Sequence, residues 1–212
     1  MSANATAVPV AVPVTPGRWI SMGWNIVRDD LGNFLVITLI SVALTLAVSF
    51  TVVGIFLLGG PLLAGLFFAT RRRILEGRME IMDVFCGFNR FLDTFLIYLL
   101  STLFALVGLT LCIFPVFVVL AAYPFPYLFA VDRGLVFWDA LEASRKLASR
   151  DLTGYIIFAF LLVLLNLVGL MLAGIGVLFT IPVSVAAITV AYKEVVGFHA
   201  PPAASRGPVI IP

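Results

Sequence analysis

Three long apolar stretches, each bounded by charged residues, dominate the pattern of the chain. Residues 31–70, 94–131 and 152–192 contain no Asp, Glu, Lys or Arg, and they are 40, 38 and 41 residues long. One membrane crossing needs about 20 residues, at a rise of about 1.5 Å per residue. Each stretch is therefore about twice as long as one crossing, and it predicts two helices joined by a short turn, which is a helical hairpin.

Glycine and proline mark the middle of each apolar stretch at similar spacings. Glycine tolerates the backbone of a turn, and a proline in the first turn of a helix loses only an N–H group that has no partner there. The spacing therefore predicts a turn in each interval, followed by a helix that begins near the proline. The pairs are Gly54 with Pro61, Gly108 with Pro115, and Gly176 with Pro182.

The second of the six predicted crossings is the shortest. Pro61 to Thr70 supplies ten mostly apolar residues before Arg71, Arg72 and Arg73. Arginine side chains can extend along the acyl boundary to the headgroups, which lengthens the usable span. A re-entrant half-helix that does not cross is the alternative for this segment.

The positions of the thirteen Lys and Arg residues distinguish two topologies. If each apolar stretch crossed once, six of these residues would lie on one side of the membrane and seven on the other. Hairpins place all thirteen on one side, and basic residues concentrate on the cytoplasmic side of membrane proteins. We therefore expect an all-α integral membrane bundle of six transmembrane helices in three hairpins, with both termini in the cytoplasm.

A polar, amphipathic segment precedes each apolar stretch, and each of the three is expected to form an interfacial helix. These segments are residues 19–30, 81–93 and 137–151. In the third, apolar residues recur at spacings of three and four, which predicts a helix lying in the membrane interface. Trp19, Trp24 and Trp138 are expected at the same water boundary. The charged face of the third segment is the predicted partner-facing surface, and it consists of Asp139, Glu142, Arg145, Lys146 and Arg150.

Composition agrees with a membrane protein, because 62% of the residues are hydrophobic and only 11% are charged, against about 25% charged in soluble domains. Residues 17–198 are the predicted membrane domain, and residues 1–16 and 199–212 are expected to be irregular, proline-containing tails. The net charge of +2 gives no support to nucleic-acid binding. Cys86 and Cys112 occur in different settings and are expected to be free thiols.

The first and third apolar stretches resemble each other. When Leu31 is aligned with Leu152, Pro61 falls opposite Pro182. Repeated two-helix units occur in transporters, but they also occur in membrane proteins that transport nothing. The repeat alone therefore does not select a function.

Two intramembrane features are candidate sites. Asn166 lies in the middle of the fifth predicted helix, where an amide needs a partner, either across helices or in a substrate. Tyr123, Pro124, Pro126 and Tyr127 lie in the fourth predicted helix, where two prolines remove backbone donors and predict a kink. Such a kink either lines a cavity or serves only to fit the bundle.

Four arginines near the end of the first hairpin are a second kind of candidate site. Arg71, Arg72, Arg73 and Arg78 could contact anionic lipid headgroups, with an attraction of about 1 kcal/mol per basic residue. The topology of the chain explains these arginines equally well. The acidic residues close to them in sequence also dilute the positive field.

Several short segments resemble a recurrent pattern in uncharacterised bacterial polytopic membrane proteins. The pattern includes residues 127–135 with Trp138 and residues 140–141 and 144–147, and it continues at residues 181–183 and 191–192. This group is similar to the membrane domain attached to some glycerophosphodiester phosphodiesterases. The resemblance covers roughly residues 19–197, and it implies a six-helix domain in the bacterial cytoplasmic (inner) membrane.

The resemblance implies no catalytic residues for this chain. The hydrolase activity of those enzymes belongs to a separate domain that uses histidines and a metal-binding carboxylate cluster. His199 is the single histidine of the sequence and lies in the tail, so that activity is not expected. The sequence predicts no metal site and no cofactor.

Two functions fit these observations. The first is a non-enzymatic membrane scaffold or accessory subunit, which would present its cytoplasmic helices to lipids, a membrane protein partner or a second copy of the chain. The alternative is a transporter or lipid-handling protein for an apolar or neutral substrate, which would use Asn166 and the kinked helix. A tightly packed interior around residues 123–127 would argue against this alternative.

Overall fold

The computed structural model describes residues 13–48, 52–111, 113–172, 174 and 176–199, and these residues form helices and turns without any strand. The α-helices are α1 (Pro16–Asp29), α2 (Leu31–Val48), α3 (Val52–Glu76), α4 (Phe91–Leu111), α5 (Ile113–Ala122), α6 (Pro126–Arg133), α7 (Phe137–Ala148), α8 (Leu152–Met171) and α9 (Val177–Val195). A 3₁₀ helix, Ile81–Arg90, precedes α4, and a shorter one, Ser149–Asp151, precedes α8. Residues 1–12 and 200–212, most of the predicted tails, and Cys112 lie outside the described residues.

Five segments of the described chain are helical, long and apolar enough to cross a membrane. They are Leu31–Val48, Ile81–Thr110, Val116–Arg133, Phe137–Met171 and Val177–Val195. Large apolar side chains also cover the outside of the bundle, as at Leu46 on α2 and Met171 on α8, which are 62% and 79% exposed. Water would not favour such a surface, and the structure is compatible with a multi-pass membrane protein. The sixth crossing stays a prediction.

Two of the three predicted turns are displaced from their prolines. α3 begins at Val52, so that Pro61 lies inside the helix and the interval from Gly54 is helical. In the third stretch Gly176 directly precedes α9, but Pro182 lies further inside that helix. Pro115 is the third residue of α5, close to the predicted position. A membrane helix tolerates an internal proline when neighbouring groups satisfy the freed carbonyl, so proline is a weaker helix-start signal here than in water.

The 3₁₀ helix Ile81–Arg90 packs across α3 in backbone contact. A Cβ atom added at Gly65 of α3 would overlap the carbonyl of Val84, and one added at Gly87 would overlap the carbonyl of Pro61. Glycine at both positions therefore permits the close approach of the two elements. The second amphipathic segment is thus a 3₁₀ helix followed by α4, and its inner face is held against α3.

The first amphipathic segment, α1, packs against α9. Gly23 of α1 lies so close to Ala187 that an added Cβ would be 2.7 Å from its backbone nitrogen. Trp19 is fully buried and donates its indole N–H to Glu194 Oε2 at 2.7 Å. The indole thus fills the α1–α9 contact, and its predicted position at the water boundary of the membrane stays a prediction. Trp24 and Trp138, in contrast, are 45% and 58% exposed.

Helix α9 occupies the centre of the bundle. It packs against α1, α2, α3 and α8, and most of its residues from Pro182 to Tyr192 are buried. α2 also packs against α3, and α4 against α5. The helices of each long apolar stretch are therefore neighbours in space.

A lateral cavity beside a broken helix

The predicted kink in the fourth predicted helix is a complete interruption of that helix. α5 ends at Ala122, residues 123–125 are not helical, and α6 begins at Pro126. Pro124 and Pro126 account for the break, because each lacks a backbone donor and each disfavours helical backbone in the residue before it. Pro126 then occupies the first position of α6, where its missing N–H has no consequence.

A serine from another helix pairs the backbone groups that the break leaves open. Ser144 Oγ, on α7, accepts a hydrogen bond from the Phe125 N–H at 3.2 Å and donates one to the Ala122 carbonyl at 3.1 Å. Ser144 is fully buried, so water is not available to do the same. In the sequence, Ser144 lies within a largely apolar stripe of residues 137–148, and nothing there indicates a polar role. Its role follows from the fold, which places it beside the end of α5 and the start of α6.

A cavity of about 380 Å³ lies next to the break, between α3, α5, α8 and α9; we call it the lateral cavity. Its volume is within the range of about 300–1,000 Å³ that is usual for small-molecule sites. Tyr123, Pro124, Tyr127 and Asn166 all line it, so the structure brings the two predicted intramembrane features together. Pro126 is buried in α6 and is not part of the lining.

Asn166 has one side of its amide satisfied by the protein. Its Nδ2 donates to the Leu162 carbonyl at 2.8 Å and to Ser184 Oγ on α9 at 2.7 Å, and Ser184 Oγ donates to the Thr180 carbonyl. Because the Leu162 carbonyl can only accept, the nitrogen must face it. Oδ1 therefore points the other way, and no donor from the described residues reaches it. Asn166 thus both joins α8 to α9 and retains an acceptor.

The lateral cavity opens toward the side of the bundle. Its inner wall includes Tyr155 and Phe158, which are 2% and 1% exposed, whereas Leu120 on α5 and Val163 on α8 are 39% and 40% exposed. The lining that belongs to the described residues carries no charged side chain, and its polar groups are the hydroxyls of tyrosine and Ser184 together with the Asn166 amide. Such a surface suits an apolar molecule with a neutral polar group.

The arginines at the end of α3 are paired with carboxylates. Arg71 Nε donates to Asp132 Oδ1 at 2.6 Å, and Arg73 Nε lies 3.1 Å from Asp30 Oδ2. Arg73 also contacts the Gly77 carbonyl. These two arginines therefore join different parts of the chain, and their predicted contact with lipid headgroups stays a prediction.

Arg72 has three acidic neighbours. It lies 2.8 Å from Asp83, 2.9 Å from Glu80 and 3.2 Å from Glu76, and these contacts raise the pKa of its guanidinium, with the Asp83 hydrogen bond as the largest cause. The hydrogen bond from Arg72 in turn lowers the pKa of Glu76. Arg78 is the most accessible of the four predicted headgroup arginines, since 71% of its side chain is exposed.

Asp132 is a buried carboxylate that the sequence did not single out. Besides Arg71, it accepts hydrogen bonds from the Tyr192 hydroxyl at 3.2 Å and from the His199 N–H at 3.0 Å, and its side chain is fully inaccessible. Arg71 also donates to the His199 carbonyl at 3.0 Å and lies over the Phe198 ring. The histidine of this chain is thus held through its backbone.

The charged face of α7 is accessible. Asp139, Arg145, Lys146 and Arg150 are exposed, and Glu142 is 2.8 Å from Arg145 and 3.3 Å from Lys146. The buried side of the same helix consists of Ala140, Leu141, Ser144, Leu147 and Ala148. Four of the five predicted partner-facing side chains therefore lie on α7, and Arg150 lies on the short 3₁₀ helix that follows it.

Neither a protein-family model, nor a curated protein, nor a solved structure matches this chain. The resemblance of residues 127–135 to bacterial membrane proteins accordingly stays a prediction. Within the described ranges, no group of three or more His, Cys, Asp or Glu side chains is placed to hold a metal ion.

Proposed function

We propose that the chain forms six crossings in three hairpins, with the charged ends of its helices on the cytoplasmic face. Three ion pairs support this topology: Arg73 with Asp30 at 3.1 Å, Arg71 with Asp132 at 2.6 Å, and Arg18 with Glu194 at 2.8 Å. If each apolar stretch crossed only once, the two members of every pair would be separated by a hydrocarbon core of about 30 Å. Hairpins bring all of them to one side.

Within this topology we propose that the protein binds a neutral, lipid-like molecule in the lateral cavity. The observation that carries the proposal is that Asn166 lines the cavity and its Oδ1 receives no hydrogen bond from the described residues, whereas the rest of the described lining is apolar or hydroxyl-bearing. The ligand would place its chain along Phe158 and Leu162 and direct a hydrogen-bond donor to Asn166. An anionic headgroup does not fit, because the described lining supplies no cation.

The lateral position of the opening suggests the route of entry. Leu120 and Val163 lie on the exposed sides of α5 and α8, which would face the acyl chains in a bilayer. A lipid-like molecule could therefore enter from within the membrane without passing through water. This route distinguishes lipid handling from transport of a water-soluble substrate.

The test is retention of lipid by the full chain in nanodiscs made with a membrane lipid extract, measured by mass spectrometry. Val163→Phe fills the rim of the cavity, and Val168→Phe is the matched control on the exposed surface of the same helix, since Val163 and Val168 are 40% and 50% exposed. We expect one lipid class to be enriched on the wild-type protein and on the control, and to be lost from Val163→Phe.

Equal recovery of that lipid from all three proteins would contradict binding in the lateral cavity. A further variant, Asn166→Leu, separates the polar contact from the apolar one. It should shift the retained population toward molecules without a hydrogen-bond donor, because the cavity then offers no Oδ1 acceptor. An unchanged population would exclude Asn166 from ligand recognition.

The accessory-subunit function is the second candidate, and the exposed charged face of α7 favours it. A stoichiometric protein that is retained in the same nanodiscs would support it. The double variant Arg145→Glu and Lys146→Glu should then release that partner, whereas Arg28→Glu with Lys193→Glu, at two exposed positions outside the ion pairs described above, is a control with the same charge change. Location in a bacterial cytoplasmic membrane is part of both proposals and rests on the resemblance.

A further inference from the structure

A second cavity, of about 300 Å³, lies on another side of α3, between α2, α4 and the beginning of α9. Leu63 of α3 lines both this cavity and the lateral cavity, so the two are adjacent. Leu46 at its rim is 62% exposed, which gives the cavity an opening on the α2 side of the bundle. We call it the hydroxyl cavity because of the side chains that α2 contributes.

Three hydroxyl residues of α2 face this cavity. Thr38, Ser41 and Thr45 are three and four positions apart, which places them on one face of the helix, and all three line the cavity. Ser41 Oγ donates to the Ile37 carbonyl at 2.9 Å, and Thr45 Oγ1 donates to the Ser41 carbonyl at 2.8 Å. Hydroxyls that bond the preceding turn in this way are common in membrane helices, and these bonds account for the donors of Ser41 and Thr45.

Thr38 does not follow this pattern. Its side chain is fully buried, and its hydroxyl has no hydrogen-bond partner among the described residues. A buried polar group without a partner is unfavourable, and such groups are rare unless a ligand or water supplies the missing bond. The neighbouring Ser41 Oγ still has lone pairs that can accept a hydrogen bond.

We propose that the hydroxyl cavity binds an apolar molecule with one hydroxyl group, of the aliphatic alcohol class. The hydroxyl of such a ligand would accept from Thr38 Oγ1 and donate to Ser41 Oγ, and its alkyl chain would lie against Leu62 and Leu66. A charged ligand does not match this surface, because the described lining contains no Asp, Glu, Lys, Arg or His side chain that could pair with it. The site differs from the lateral cavity in its helices and in its polar groups, and it does not depend on the function proposed for that cavity.

The experiment uses two photoreactive probes on the full chain in nanodiscs. One is an octanol with a diazirine in its chain, and the other is the matching alkyl diazirine without the hydroxyl. We expect the alcohol probe to label peptides of α2 and α3 saturably, with competition by decanol, and the alkyl probe to label them without saturation.

Thr38→Val is the decisive variant, because valine keeps the shape of threonine and removes the hydroxyl. It should weaken saturable labelling by the alcohol probe by about threefold to tenfold, the effect of one hydrogen bond. Thr180→Val is the matched control, since the Thr180 hydroxyl is also buried and without a partner but does not line the hydroxyl cavity.

Equal labelling of the wild-type protein and Thr38→Val would overturn the proposal, and so would equal, saturable labelling by the two probes. The first result would mean that only water meets Thr38, and the second that the cavity selects for apolar shape alone. Val163→Phe should leave this labelling unchanged, so failure of the lateral cavity to bind lipid would be recognised separately.

Discussion

At the scale of single residues, two polar side chains inside this bundle join helices through hydrogen bonds. Ser144 on α7 pairs two backbone groups at the α5–α6 break, and Asn166 on α8 donates to Ser184 on α9. The sequence identified Asn166 because an amide in an apolar run is conspicuous. It did not identify Ser144, because a small hydroxyl in an apolar stripe is ordinary and its partners are 19 and 22 positions away.

Replacement of Ser144 by alanine should destabilise the protein by about 1–3 kcal/mol, because the Phe125 N–H and the Ala122 carbonyl would both be left without a partner. Ser149→Ala is the matched control, since Ser149 is exposed and bonds only the Lys146 carbonyl. Unfolding by SDS in mixed micelles, followed by circular dichroism, would measure the difference. Equal stability of the two variants would show that water can reach the break.

Replacement of Asp132 by asparagine tests the buried carboxylate. The change leaves the Arg71 guanidinium without its counter-charge, and we expect a loss of about 3–5 kcal/mol, as when one member of a buried pair is removed. Asp139→Asn on the exposed face of α7 should change stability by less than about 0.5 kcal/mol. Limited proteolysis adds a specific readout, because loss of the His199 contacts should make cleavage after residue 195 faster in Asp132→Asn alone.

At the scale of helices, close backbone contact decides how the amphipathic segments pack. The sequence predicted helical structure before each apolar stretch, and the described residues there are helical. It did not predict that residues 81–90 form a 3₁₀ helix against α3, since that geometry follows from glycines 22 positions apart, at Gly65 and Gly87. Nor did it predict the burial of Trp19, whose partner Glu194 is 175 positions away.

Gly65→Ala should separate α3 from the 3₁₀ helix. The added methyl group would overlap the Val84 backbone, which cannot rotate away as a side chain can, so we expect a loss of at least about 1–3 kcal/mol by overpacking. Gly32→Ala in α2 is the control, because nothing lies within 4 Å of its added Cβ. That variant should be neutral or more stable by up to about 1 kcal/mol, through helix propensity. Thermal unfolding in detergent would compare them, and a neutral Gly65→Ala would contradict the packing.

At the scale of the whole molecule, the charged residues lie outside the three long apolar stretches. The apolar pattern predicted the all-helical class and helices long enough for a membrane, because a continuous apolar run is sufficient evidence for both. It could not predict which carboxylate each arginine meets. Arg71 and Asp132, for example, are 61 positions apart, and one sequence contains no signal that joins them.

The acidic cluster around Arg72 should make stability depend on pH. The pKa of Glu76 is lowered in the folded protein, chiefly by its hydrogen bond from Arg72, so its contribution is present above the unfolded pKa of about 4.3 and is lost as pH falls through the folded value. Glu76 is half-exposed, and the effect should be below about 1 kcal/mol. The wild-type protein should exceed Glu76→Gln in stability at pH 7 but not near pH 3. A difference in stability that persists at low pH would mean that the substitution acts through the shape of the side chain and not through its charge.

The pairing of α1 with α9 has a consequence for synthesis. Arg18 and Trp19 of α1 leave the ribosome long before their partner Glu194, which is 176 and 175 positions later. Arg71 likewise has no counter-charge until Asp132 has been made, 61 positions on. Arg18 in the nascent chain must therefore remain without the Glu194 carboxylate until most of the described helices have been made. Completion of α9 supplies this carboxylate, so a ribosome that stops before residue 194 releases a product in which Arg18 and Trp19 lack their Glu194 partner.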